Sequence, residues 1–172
     1  MMHDINKSYY NKEIGLAYEY WHSKVRDSCV PTRSDIDPME MRGWIQAVLL
    51  AEAVFDADGT PVDFFFRVAG SRVCERYGHE LTRRHLSDVS LDHQNANILA
   101  NYAAAIETRG PVYSIARFQD ETGLLRSFEM LLLPLSTDGR GCDLLLGVVM
   151  PLPPDYDADE GVWIYETGPA DP

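Results

Sequence analysis

From Tyr10 onward the apolar positions Tyr10, Ile14, Ala17, Tyr18, Trp21 and Val25 recur every three or four residues, which predicts an amphipathic helix with one aromatic stripe. The polar segment "DSCVPTRSDIDP" follows and ends in a helix-start pattern. Asp37 can accept from the first free N–H groups, Pro38 suits the first helical position, and Glu40 completes a capping-box spacing. That helix must be short, because "AVLLAEAVFD" turns to β-type composition almost at once. "ADGT" supplies hairpin chemistry and "PVDFFFRVAG" reads as the returning strand. Two helical fragments follow in "SRVCERYGHELTRRHLSDV", broken at Gly78 and too short to be stable alone. In "LDHQNANILANYAAAIETRG" the residues Leu91, Ile98, Leu99, Tyr102 and Ile106 share one helical face, and Gly110-Pro111 stops the helix. The runs "PVYSIARFQD", "LLRSFEMLLLPLS" and "CDLLLGVVMPL" are strands, joined as two hairpins by "ETG" and "TDGRG".

Composition narrows the function classes. A chain of 172 residues with 45% hydrophobic content can bury a real core as one domain. A net charge of −12 opposes binding to a phosphate backbone or an anionic bilayer. Beyond Arg140 there are seven acids and no Lys or Arg, so "PPDYDADEGVWIYETGPADP" reads as a mobile acidic tail whose "VWIY" is apolar enough to dock. Cys29, Cys74 and Cys142 have no C-x-x-C spacing, which suits a reducing compartment. No signal-peptide core and no membrane-length apolar run is present, so a cytoplasmic location is expected.

Two strands, a helical insert and a three-strand meander form the element order of a PAS-type sheet, whose insert walls off one sheet face. The segment "RVAGSRVCERYGHELTRRHLSDV" resembles a stand-alone PAS-domain family of bacteria, of the kind common in alphaproteobacteria. There a strand ending in Arg-x-x-Gly-[Ser/Thr] precedes a short helix, a Gly and an "eLTgR-x-L-x-D" piece. The upstream Pro31, Arg33, Asp35, Ile36, Asp37 and Pro38 fit the same pattern, and Arg83 stands where the pattern has Gly. The resemblance spans about Trp21 to Leu152. It implies an α+β fold with a five-stranded antiparallel sheet, helices on one face and the first strand between the second and the last. The expected layout is an N-terminal helix over 1–28, a PAS-like domain over 29–152 and the tail over 153–172.

Candidate chemistry is sparse. Light-sensing PAS domains carry an adduct cysteine in "G-R-N-C-R-F-L-Q", and the matching "T-R-R-H-L-S-D-V" has His85 near that place. Cys74 lies one helix earlier and reads as a small inward-packing residue. His93, beside Asp92 and Gln94 in a first helical turn, reads as solvated rather than as a haem ligand. His79, His85 and His93 lack metal-site spacing, and Ser71 lacks a nucleophile elbow. The carboxylates read as surface groups. Arg67, Arg72, Arg76, Arg83 and Arg84 form a basic island that reads first as a solvated face and second as an anion or docking site. Arg67, inside a strand, needs a partner, either a carboxylate of the fold or a ligand anion.

The expectation is a sensory or interaction domain without catalytic output, coloured cofactor or metal, contacting a protein partner and neither nucleic acid nor membrane. A small-molecule enzyme or carrier with a cone-like α+β fold is the alternative, and strand order separates the two. Any ligand pocket lies between the sheet and the long helix, with Phe66, Val68, Cys74, Tyr77, Leu86, Ile98, Tyr102, Phe128 and Met130 as candidate lining; otherwise these residues fill the core. The N-terminal stripe is expected to pair two copies as a homodimer, unless it folds back on its own sheet.

Overall fold

The computed structural model describes residues 9–78, 80–89, 95–119, 124–156 and 161–164. Among these, helix α1 (Lys12–Lys24) is followed by 3-10 turns and the hairpin of β1 (Val48–Phe55) and β2 (Pro61–Ala69). Next come α2 (Ser71–Tyr77), α3 (Leu86–Val89) and α4 (Asn95–Thr108). The chain closes with β3 (Val112–Gln119), β4 (Leu125–Leu135), β5 (Leu144–Pro151) and β6 (Gly161–Ile164). The sheet order is β2-β1-β5-β4-β3-β6, antiparallel throughout. β1 therefore lies between β2 and β5, as the PAS resemblance implies and a cone-like fold does not.

The sixth strand is a departure from the five expected. Gly161–Ile164, inside the segment read as a mobile tail, pairs with Val112–Ile115 of β3. An edge strand leaves a row of unmet N–H and C=O groups, and "GVWI" has the β-branched and aromatic content to cover it.

Both sheet faces are covered where the strands read as continuous apolar runs. Along β4, Phe128, Met130 and Leu132 face α2–α4, while Leu131 and Leu133 face α1. A strand buried on both sides has no polar face to show, which explains the unbroken "MLLLPL". On the α1 side, Ile14, Ala17 and Trp21 are fully buried against Leu131, Leu133, Leu146 and Val148. The Trp21 indole N–H donates to the Pro134 carbonyl at 2.8 Å. Burying side chains of this size is worth roughly 1.5–3 kcal/mol each. Ile14, Ala17 and Trp21 of the stripe expected to join two copies are thus covered by the chain's own sheet. Of that helix and its approach, Tyr10 and Leu16 stay about half exposed.

Asp37 caps as expected, its Oδ1 accepting from the Met39 N–H at 2.9 Å, but Pro38–Met41 forms a 3-10 turn rather than an α-helix. Glu40 does not reach back to the cap. Its carboxylate takes the Tyr20 hydroxyl and the Lys24 ammonium instead.

Candidate functional site

The β2 strand sets the floor of the inner face. Leu50 pairs with Val68 and Ala51 with Phe66, so Arg67 is the extra residue of a β-bulge. Phe64 and Phe66 point inward and are fully buried, but the bulge reverses the alternation beyond Phe66. Val68, expected to line the pocket, is therefore turned to the outer face and half exposed. Arg67 sits outward as well, where its guanidinium pairs with Glu52 and lies over the Phe65 ring at 5.2 Å. The strand arginine has found the carboxylate of the fold.

Gly70 turns the chain from β2 into α2. A Cβ there would stand 2.3 Å from the Gln46 carbonyl oxygen, so no side chain fits at this close approach. Gly78, at φ +77, ends α2 in the left-handed region. Between them the helix aims Val73, Cys74 and Tyr77 at the core and leaves Arg72 and Glu75 in solvent. The following segment runs back along β2, with Arg83 N–H donating to Phe66 O at 2.8 Å and Phe66 N–H to Arg84 O at 2.9 Å. Arg83 keeps the left-handed φ of +67 although it is not glycine. The turn of the family pattern is thus retained at a cost of roughly 1–2 kcal/mol. α3 adds Leu86 and Val89 to the wall, and α4 adds Ile98, Tyr102, Ala105 and Ile106.

Two phenols stand out in this interior. Tyr102 is completely buried, edge-on to Phe64 at 5.0 Å between ring centroids. The Tyr77 ring keeps some exposure, but its hydroxyl is buried. Among the described residues neither hydroxyl has a hydrogen-bond partner. Burial pushes Tyr77 up to about 12, partly countered by the Arg76 charge. Burial also holds Tyr102 well above its usual value, and neighbouring Tyr77 adds to the rise. Both are neutral O–H groups at pH 7. A third inner-face hydroxyl, Ser114 Oγ on β3 opposite Met130, is buried and unpartnered too. A buried polar atom left unsatisfied costs roughly 1–3 kcal/mol.

Eight of the nine expected lining residues surround this one cluster; Val68 alone does not. Cys74 is half-buried, with its thiol raised chiefly by burial, so it is a packing group and not a thiolate. His85 lies beside the wall rather than in it, its Nδ1 3.4 Å from an Asp63 carboxylate that also takes the Ser87 hydroxyl. His79 and His93 lie outside the described residues. Among the described residues no cluster of His, Cys, Asp and Glu could hold a metal. An open concavity of about 430 Å³ lies elsewhere, between Phe55 and the turn of Thr137–Asp143. Its Asp138 and Asp143 are occupied in capping backbone N–H groups, so the unpartnered phenols mark the better candidate site.

Sequence reading missed Glu129. Fully buried on the outer face, it accepts from Tyr10 N–H at 2.6 Å, Asn11 N–H at 2.9 Å, Asn11 Nδ2 at 2.7 Å and the Tyr113 hydroxyl at 2.8 Å. The available signal was its place: a carboxylate between Phe128 and Met130, in a stretch otherwise apolar from Phe128 to Leu135.

A family description, "PAS domain", matches residues 12–150. The chain belongs to the PAS-domain family. The match begins at Lys12, the first residue of α1. PAS domains are sensory or interaction modules, and that is the general role of this chain. No curated protein matches it in sequence. No helix among the described residues is long and apolar enough to cross a membrane.

Proposed function

We propose that this PAS domain takes a small, colourless molecule between its sheet and α2–α4, and that occupancy governs its contacts with a protein partner in a bacterial cytoplasm. The observation that carries the reading is the pair of buried, unpartnered phenol hydroxyls of Tyr77 and Tyr102 in one apolar wall. A core that only needed filling would use Phe at both positions, since the ring packs equally well and no polar atom is stranded. A ligand oxygen between the phenols removes that cost and couples their positions to occupancy. The domain does no chemistry of its own in this reading: Cys74 is held protonated, and His85 and Ser87 both lean on Asp63 rather than on each other.

Native mass spectrometry of the freshly purified full chain tests this directly. A retained mass, released on denaturation and lost from a Tyr77→Phe/Tyr102→Phe variant, is the expected result. A chain that keeps no adduct and gains no thermal stability from any small molecule in a metabolite screen would sink the reading. A Soret band or stoichiometric flavin absorbance would replace the colourless ligand with a pigment.

A further inference from the structure

The two edges of the sheet are closed in different ways. Along β2 the closing backbone belongs to the insert that walls the inner face: Phe66 exchanges N–H···O bonds with Arg83 and Arg84, and His85 bridges to Phe65. Along β3 it belongs to β6, which lies beyond the residues 12–150 covered by the PAS match. β3 pairs with β4 over its whole length, Val112–Gln119, whereas its described pairing with β6 takes only Val112–Ile115. A strand of four residues at the end of a ladder has few hydrogen bonds to hold it, so it opens more readily than the strands inside. The edge beneath it is a template for another chain, with main-chain groups giving affinity and the residue pattern giving selectivity.

We propose that the β3 edge is the docking site for an extended segment of a partner protein, and that β6 is a built-in stand-in which the partner displaces. The inference goes beyond the ligand reading and needs no molecule inside the sheet. The stand-in states the chemistry of the segment it stands for. Three of the four residues of β6, Val162, Trp163 and Ile164, are β-branched or aromatic, and the sequence ahead of them carries Asp157, Asp159 and Glu160. In the register Gly161↔Ile115, an incoming segment that continues ahead of its apolar run meets Arg117 two positions earlier. Asp159 has that same spacing from Gly161 in the sequence, so a partner segment of this pattern sets an acid opposite a base. The occupant is therefore a β-prone run with an acidic lead. For a second copy, swapping β6 exchanges one identical pairing for another and gains no contact, while two chains of net charge −12 repel.

A fluorescent synthetic peptide with the sequence of Asp157–Ile164, added to the full chain, tests the proposal by anisotropy and amide hydrogen exchange. In the wild-type chain, saturating peptide should speed exchange at Gly161–Ile164 at least about tenfold while Val112–Ile115 stay protected. The full-length variant Val162→Pro/Trp163→Pro loses a ladder N–H whichever alternate residues face β3. It should bind the peptide at least about tenfold tighter than the wild-type chain, because no tethered strand competes. Lysines in place of the peptide's acids should weaken binding severalfold, and Arg117→Glu should reverse that preference. The exchange measurement on the wild-type chain decides the matter even if the proline variant does not fold. A peptide that leaves exchange at Gly161–Ile164 unchanged, or binds a folded proline variant no tighter than the wild-type chain, would overturn the docking site. Indifference to the peptide's charge would overturn the acidic lead. A dimer in sedimentation of the wild-type chain that the proline variant abolishes would give the edge to a second copy and overturn the partner segment.

Discussion

Two sets of buried polar atoms, one on each face of the sheet, differ in how they are met. On the outer face the Glu129 carboxylate meets four donors, and the Trp21 indole has the Pro134 carbonyl. On the inner face Tyr77, Tyr102 and Ser114 keep hydroxyls with no hydrogen-bond partner among the described residues. The same strands serve both, since Phe128 and Met130 face inward while Glu129 between them faces α1. A satisfied network fixes one arrangement, whereas each buried polar group left unsatisfied carries a free-energy cost.

The largest effect should come from the outer face. Glu129→Ala removes the acceptor of the Tyr113 hydroxyl, of one Asn11 amide N–H and of two backbone N–H groups, and should cost about 3–5 kcal/mol in urea unfolding. A loss below about 1 kcal/mol would mean that α1 is not anchored through this residue, and the contrast between the faces would collapse.

The inner face should show itself in alkali. Tyr77 titrates near 12 in the folded chain against 10.0 for an ordinary phenol, so between those values the unfolded chain releases a proton that the folded chain keeps. Stability that is complete below pH 10 should therefore fall as pH rises towards 12, by about 2–3 kcal/mol from this one group. The Cys142 thiol, also pushed to about 12 by burial, adds to the same fall. The difference between the wild-type chain and Tyr77→Phe, followed by unfolding at stepped pH, isolates the phenol. Identical profiles would show that the hydroxyl reaches water.

A smaller and opposite effect is expected from Tyr102→Phe in the ligand-free chain. Removing a stranded hydroxyl at constant shape should stabilise by about 1 kcal/mol, whereas an outer-face Tyr113→Phe should destabilise by a similar amount. If both substitutions move the melting temperature downward, the inner hydroxyl has a partner and the two faces are alike. The smallest change is Arg83→Gly, in the turn that brings the inner wall back along β2. Relief of a left-handed arginine, offset by the freedom glycine gains when unfolded, should leave a gain of about 0.5 kcal/mol. A loss at this position would show that the arginine side chain contributes to the wall.

Periodicity and turn chemistry made much of this legible. The α1 stripe, the β1–β2 hairpin, the break at Gly78, the end of α4 and the closing meander are local patterns, and so is the inner-face placement of the expected lining residues, Val68 excepted. Val68 was lost because a bulge at Arg67 inserts one residue, and strict alternation cannot register an insertion in the pairing partner. The strand at Gly161–Ile164 was lost because an acidic, proline-rich context outweighs four β-prone residues until a bare sheet edge is there to receive them.

What the sequence by itself determined was the element order and, through it, the PAS arrangement, because helix and strand periods and turn residues act over a few neighbours. What only the tertiary structure decided was which polar atoms are met and which are stranded. Glu129 and its donors Tyr10 and Asn11 lie more than a hundred positions apart. Satisfaction of a buried polar group is a property of contacts between distant segments, and no local pattern of residues encodes it.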